Sequence, residues 1–257
     1  MKANRTAPLA FFCLAACASA SVPQDNAGVI ARARDIHSRL IAIDTHIDIQ
    51  PTMGLPTNNS CLPTDHKVDL PKMRAGGLDV AFFAVYVGQS ARSDSSYAQA
   101  KSDALAKFEA IHRLAEKTCP DQIEIAYHPE DVERIVKSGK LVAAIGIENG
   151  FVIGKDLSLL DRYQKLGARY ITLAHNGNND IAGSAQPNTR FGDAAETSGL
   201  TPFGEQVVAE MNRVGIMVDV SHVSKQSALD AMRITKAPVI ASHSSVTAIT
   251  RHPRNFD

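Results

Sequence analysis

The sequence has no tryptophan, no excess of charge of either sign and no apolar run long enough to cross a membrane. Lys and Arg number 27 and Asp and Glu number 27, so the net charge is zero with His neutral, and nothing points to a nucleic-acid or anionic-membrane partner. A transmembrane helix would need about 18 consecutive apolar residues, and no such window is present. No G-x-G-x-x-G and no P-loop signature follows an apolar run, so neither nucleotide fingerprint is present. Cysteine is scarce, and no two of the four stand in a C-x-x-C pair, which speaks against a thiolate zinc site. The balance of 44% apolar and 21% charged residues excludes a disordered, collagen-like or coiled-coil chain. Histidine is what the sequence has in quantity, nine in all.

The first 20 residues read as an address. Lys2 and Arg5 precede a short apolar run over 9–16, and Ala18-Ser19-Ala20 supplies small residues for cleavage, the pattern of a secretory signal peptide. Leu14-Ala15-Ala16-Cys17 also resembles a bacterial lipobox, which would put a lipid anchor on Cys17. Both readings export the remaining chain, 21–257, to the periplasm or cell envelope, with 25 basic residues (27 less Lys2 and Arg5) against 27 acidic. There a disulfide between Cys61 and Cys119 is permitted, and two separate thiols fit equally well.

Six short apolar runs follow, at 41–48, 78–87, 141–148, 169–175, 215–222 and 238–243, rich in β-branched residues and read as strands. Helical periodicity marks 29–40, 95–117, 129–138, 156–166, 202–214 and 224–235, with Pro129 and Pro202 in first turns and Ser224 as an N-cap. Alternating strands and helices predict a parallel sheet in an α/β fold. Without a nucleotide fingerprint, the strand ends favour a (β/α)8 TIM-type barrel over a doubly wound sheet. With about six of eight units present the barrel is incomplete, and low solubility and little activity are expected of 21–257 alone.

Those strand ends carry the chemistry. Asp44, His46 and Asp48 share one face of the first strand, because side chains two apart point the same way. Glu148 closes an otherwise apolar strand, and His175, His222 and His243 each follow an apolar run directly. In a barrel these tips converge on one face. Ionisable groups gathered there are costly to bury unless a cation compensates them, and imidazole with carboxylate suits zinc and similar ions. Five ligands, His46, Asp48, Glu148, His222 and His243, exceed what one tetrahedral zinc takes, and a carboxylate shared by two ions accounts for the number. Asp44 and Asp219 read as supporting groups. His37, His66, His112 and His128 fall in helices, linkers or polar loops and read as structural.

The motifs IDTHID (43–48), AAIGIENG (143–150), RYITLAHNGNND (169–180), GLTPFGEQVVAEMNRVGIMVDVSHVS (199–224) and APVIASHSSVTAITRHPRN (237–255) resemble the membrane (renal-type) dipeptidase family of amidohydrolase-like barrel metallopeptidases. The likeness runs from about residue 37 to the end. It implies two zinc ions: His46 and Asp48 on the first, His222 and His243 on the second, and Glu148 bridging both. It implies that His175 touches the substrate and stabilises the oxyanion, that Arg254 holds the substrate's terminal carboxylate, and that a metal-bridging hydroxide attacks the peptide bond of a dipeptide. Another barrel amide or lactam hydrolase, or an inactive metal-binding fragment, stays open beside this reading, as do a lipid anchor and a homodimer. Two departures stand out: Asn149 replaces a more usual glycine, and the family continues through two further β/α units, with an aspartate used in proton transfer, where this sequence stops at Asp257.

Overall fold

The computed structural model describes residues 26–194 and 198–257, so the leader, the lipobox and the Cys17 anchor site lie outside the described residues. Two compact units are present, divided after Arg39. In the first, helix α1 (Asn26–His37) carries Arg34 and His37 in its last turn, where cations complement the helix dipole, and Arg39 pairs with Asp35 at 2.9 Å. The periodicity predicted a helix over 29–40 with one apolar face. The helix forms three residues earlier and buries none of its residues, leaving Val29, Ile30 and Ile36 exposed.

The second unit alternates strand and helix. Strands β1 (Ile43–Asp48), β2 (Val80–Tyr86), β3 (Ile123–Ile125), β4 (Leu141–Glu148), β5 (Ala168–Thr172) and β6 (Met217–Asp219) are joined through helices α2 (Leu70–Gly76), α3 (Asp94–Arg113), α4 (Pro129–Lys137), α5 (Ser158–Lys165), α6 (Pro202–Val214) and α7, which follows β6 (Lys225–Ile234). All pairings between strands are parallel, in the order β1-β2-β4-β5-β6. Strand β3 lies against the first residues of β4, on the edge that β5 occupies further along. This is the α/β fold expected, with the curved parallel sheet of a TIM-type barrel left unclosed among the described residues.

Side-chain alternation separates two packing faces. On β2 and β4, Ala81, Phe83 and Val85 and Leu141, Ala143, Ile145 and Ile147 join the large core that also contains Phe108 and Ile111 of α3 and Tyr163 of α5. Val80, Val142 and Ala144 face the other way, into a smaller cluster with Phe82 and Ile135. Glu148 shares the parity of Val142 and Ala144, so the strand that buries its odd-numbered residues against helices delivers a carboxylate to the opposite face.

Caps fix where the helices start. Ser93, Thr201 and Ser224 accept from the backbone N–H three residues on, at the N-termini of α3, α6 and α7. Ser224 and the two first-turn prolines thus do what the sequence predicts. Buried Asp69 caps α2 by accepting from Lys72 N, and Gly77 closes that helix in the left-handed conformation.

Two strand assignments need correction. The run 238–243 forms no strand: it makes one parallel bridge, Ile240 to Asp219, held by Ile240 N–Val218 O and Val220 N–Ile240 O bonds of 2.9 Å. A polar, serine-rich continuation follows Ile240, and the chain turns away. Strand β3 is instead a strand that periodicity missed, because three residues are too few to show alternation. The long helix over 95–117 ends as α3 at Arg113 and widens into a π-helical turn, Leu114–Thr118. That turn delivers Cys119 to Cys61, and the two form a disulfide across 58 residues of chain.

A bridge closing so long a loop removes much unfolded-chain entropy. Cys61→Ser with Cys119→Ser is expected to lower the unfolding free energy by about 3–4 kcal/mol in denaturant titrations. A loss below about 1 kcal/mol would show that the bridge contributes little.

Candidate metal centre

Three histidines reach the site by the same local device. His175 stands three residues beyond the end of β5, His222 three beyond β6 and His243 three beyond the Ile240 bridge. His222 adopts φ +66, a left-handed conformation that costs a non-glycine residue roughly 1–2 kcal/mol and persists only where its surroundings hold it. Here its carbonyl accepts from Ala185 N at 2.8 Å. Strained backbone of this kind concentrates at functional sites.

The imidazoles converge on Glu148, whose side chain is 5% exposed. Its Oε1 lies 3.0 Å from His222 Nε2, 3.3 Å from His243 Nε2 and 3.4 Å from His175 Nε2, and its Oε2 lies 3.2 Å from His46 Nε2. His222 and His243 bring their Nε2 atoms to 2.9 Å of each other. Rings of His46 and His243 stack at 3.8 Å, and Tyr86 tilts against His175 at 4.7 Å. Two groups of ligand atoms result, His46–Glu148–His243 and Glu148–His175–His222, each gathered within 4.8 Å, and Glu148 belongs to both.

Each ring's second nitrogen shows which way it faces. His46 Nδ1 is 2.9 Å from the hydroxyl of Tyr170, which donates its single hydrogen to the Thr45 carbonyl at 3.1 Å. The hydroxyl therefore accepts from His46 Nδ1–H. His222 Nδ1 lies 3.1 Å from Asn176 Oδ1, also an acceptor. Both rings consequently turn an Nε2 lone pair toward a carboxylate. That contact is repulsive unless a cation, a proton or a metal ion, stands between them. Imidazole nitrogens with one shared carboxylate are a donor set that suits zinc, so the residues fit the group the sequence implied.

The protonation equilibria reflect the same crowding. Burial opposes ionisation of Glu148, but the imidazoles of His222, His243 and His46, wherever a proton stands on Nε2, outweigh it and hold the carboxyl far below its usual range. Burial also works against a charged His46, and Glu148 overcomes it, raising the imidazole. His175 is pushed down to about 4, first by burial and then by the charge of His222. His222 is lowered chiefly by burial.

The residues singled out in the sequence are not all brought together. His46, Glu148, His175, His222 and His243 meet. Asp48 is exposed and belongs to neither ligand group, although its charge is felt at His46. Arg254 donates from Nη2 to the His243 carbonyl at 3.1 Å, and its buried Nε has no hydrogen-bond partner. That leaves a guanidinium beside the cluster with a free donor.

Sequence reasoning marked Asp219 and Asn149 but missed Tyr170 and Asn176, the partners of His46 and His222. Tyr170 reaches His46 from 124 residues away, crossing the sheet from β5 to β1. It does so over Gly146, its paired residue on β4, where a Cβ would lie 2.0 Å from the Tyr170 ring. Asn149 stands where glycine is more usual and has the positive φ, +85, that explains the preference. Its buried amide donates to Val87 O at 3.0 Å and accepts from Phe151 N at 3.1 Å, which offsets the strain.

Comparison with known proteins places this architecture. The profile of the family described as membrane dipeptidase (peptidase family M19) matches residues 30–257. The dipeptidase tcpJ of Claviceps purpurea is 38% identical over 192 residues, 73% of this chain and 44% of that protein. An uncharacterized dipeptidase of Schizosaccharomyces pombe is 32% identical over 239 residues, 87% of this chain and 56% of its own length. The crystal structure of the probable dipeptidase PvdM from Pseudomonas aeruginosa superposes with a TM-score of 0.84 at 28% identity, covering 90% of this chain and 59% of that one. The chain belongs to the membrane dipeptidase family. It spans about half the length of the curated relatives it matches.

The crossing of Tyr170 over Gly146 makes a direct prediction. Gly146→Ala should force the tyrosine off His46 and destabilise the fold by about 1–3 kcal/mol. A variant with unchanged stability and unchanged zinc affinity, measured by chelator competition, would contradict the placement.

Proposed function

We propose that the chain provides the metal-binding part of a zinc-dependent dipeptidase, exported from the cytoplasm. The observation that carries this reading is the shared position of Glu148, one buried carboxylate faced by four imidazole nitrogens and common to two ligand groups. Two zinc ions would be held, one by His46 and Asp48 with Glu148 and the other by Glu148 with His222 and His243; the ligand groups seen without metal divide the imidazoles differently, His243 with His46 and His175 with His222. Exposed Asp48 ends β1 two residues beyond His46, where its charge is felt, and would be the further carboxylate for the first ion.

When bound, the metal pair supplies Lewis acidity, polarising the scissile carbonyl and lowering the pKa of an attacking water. The chain's own residues do the rest. Arg254 pairs with the substrate's free C-terminal carboxylate, the task for which a guanidinium with an unfilled donor is suited. This limits the substrate to a short peptide ending next to the scissile bond. His175, kept neutral near neutral pH by burial and neighbouring charge, donates a hydrogen bond to the developing oxyanion. Tyr86 packs on its ring and holds it in place. The Cys61–Cys119 bridge supports export, because such bonds persist outside the reducing cytoplasm. Among the described residues, no helix is long and apolar enough to cross a membrane.

Hydrolysis of dipeptides, N-acyl amino acids and a carbapenem, compared side by side, tests the reaction class. The turnover of this chain, low as its unclosed barrel leads us to expect, should be highest with dipeptides, disappear on chelation and return with zinc. Glu148→Gln should lower kcat/KM by about 1,000-fold or more, since it removes the shared ligand. Preferred turnover of the N-acyl or lactam substrate would replace the dipeptidase reading with another amide hydrolysis.

The assignment of Arg254 has its own test. Arg254→Ala should cost about 100-fold in kcat/KM for a dipeptide, and much less for the same dipeptide amidated at its C-terminus. Equal losses for both substrates would remove Arg254 from carboxylate recognition.

A further inference from the structure

Behind His243 lies a chain of hydrogen bonds that the proposed function does not use. Asp219, fully buried at the end of β6, accepts from the backbone N–H groups of Ser221 and Ser242, both at 3.0 Å, through Oδ1. Its Oδ2 accepts from the hydroxyls of Thr172 at 2.5 Å and Ser242 at 2.6 Å. The Ser242 hydroxyl in turn lies 2.8 Å from His243 Nδ1.

A serine hydroxyl has one hydrogen to give. Ser221 Oγ, at 3.4 Å, is a neutral and more distant acceptor for it. The anionic Asp219 oxygen at 2.6 Å is the stronger one, because charge-assisted bonds are shorter and about twice as strong. With its hydrogen committed to Asp219, Ser242 can only accept from His243, and the imidazole proton must sit on Nδ1. The Nε2 of His243 is then left as a lone pair, 3.3 Å from Glu148 and 2.9 Å from His222.

We propose that Asp219 is a positioning residue of the metal centre: acting through Ser242, it fixes the tautomer and orientation of His243 so that its Nε2 lone pair points into the site. The inference rests on the reading of His243 as a metal ligand. The polarity of the relay can be reversed without removing it. In Asp219→Asn, the side-chain oxygen keeps the two backbone N–H groups, and the amide NH2 replaces Oδ2. That NH2 donates to Ser242, Ser242 donates onward to His243 Nδ1, and the imidazole proton moves to Nε2, where it opposes a metal ion.

The experiment uses the full chain and two readouts. Long-range proton–nitrogen NMR of the zinc-free protein reports whether His243 Nδ1 carries hydrogen, and competition with a chromophoric chelator reports the affinity for each zinc ion. Wild type should show a protonated Nδ1 and take up two ions. Asp219→Asn should show a bare Nδ1 and a loss of about 10–100-fold in affinity for one ion only, in a zinc-free protein that circular dichroism shows still folded. Ser242→Ala and Ser242→Thr form a second pair that leaves Asp219 in place: the alanine should weaken the same ion, and the threonine, which keeps the hydroxyl, should restore it. A bare Nδ1 in wild type, or full affinity for both ions in Asp219→Asn and Ser242→Ala, would overturn the inference. A protonated Nδ1 in a wild type that binds no zinc would overturn the metal reading while leaving the relay standing.

Discussion

The site depends on a single electrostatic constraint, a buried carboxylate surrounded by lone pairs. Glu148 closes a strand whose eight residues are all buried, and four imidazole nitrogens lie within 3.4 Å of its oxygens. At least two of those imidazoles have committed their Nδ1 hydrogens elsewhere, His46 to Tyr170 and His222 to Asn176. Nitrogen lone pairs packed against an anion in a low-dielectric interior repel strongly unless positive charge is placed among them. Protons meet that need partially, as the raised His46 shows. Metal ions meet it with both charge and directed bonds, and the outer hydrogen bonds have already turned the ligands to receive them.

The rest of the unit serves this convergence. Parallel strands place their C-terminal ends on one side of the sheet, and alternation along β4 sends Ala143, Ile145 and Ile147 to the large core and Val142, Ala144 and finally Glu148 to the opposite face. The inner face needs room as well as chemistry. Gly146 gives up its side chain so that Tyr170 can pass over β4 to reach His46, and Asn149 accepts a left-handed backbone immediately after Glu148. Loops beyond β5 and β6 then set the remaining imidazoles, with the strained His222 held through its carbonyl by Ala185.

Much of this was legible in the sequence, because the informative residues follow apolar runs directly. His175, His222 and His243 could be placed at strand tips from local pattern alone, and Glu148 stood out as the one charge closing an apolar strand. The alternating α/β order was readable for the same reason, with five of the six strands in place. What escaped was either too short or too far apart in the chain. Three-residue β3 shows no periodicity, and α2 is a helix of seven residues. The run 238–243 has strand composition but keeps only the Ile240 bridge. Tyr170 and Asn176 act through contacts 124 and 46 residues distant, which no local pattern encodes. In β1 the period-two spacing misleads: a bulge between Asp44 and Ile47 pairs Asp44 with Ala81 and Asp48 with Ala84, so Asp44 and Asp48 do not share the one face that alternation implies.

Diffraction from crystals of the zinc-loaded chain, collected on either side of the zinc absorption edge, tests the central claim most directly. The account predicts two anomalous peaks flanking the Glu148 carboxylate, each about 2.0–2.2 Å from one of its oxygens. A single peak, or strong peaks that leave Glu148 without a metal neighbour, would contradict it.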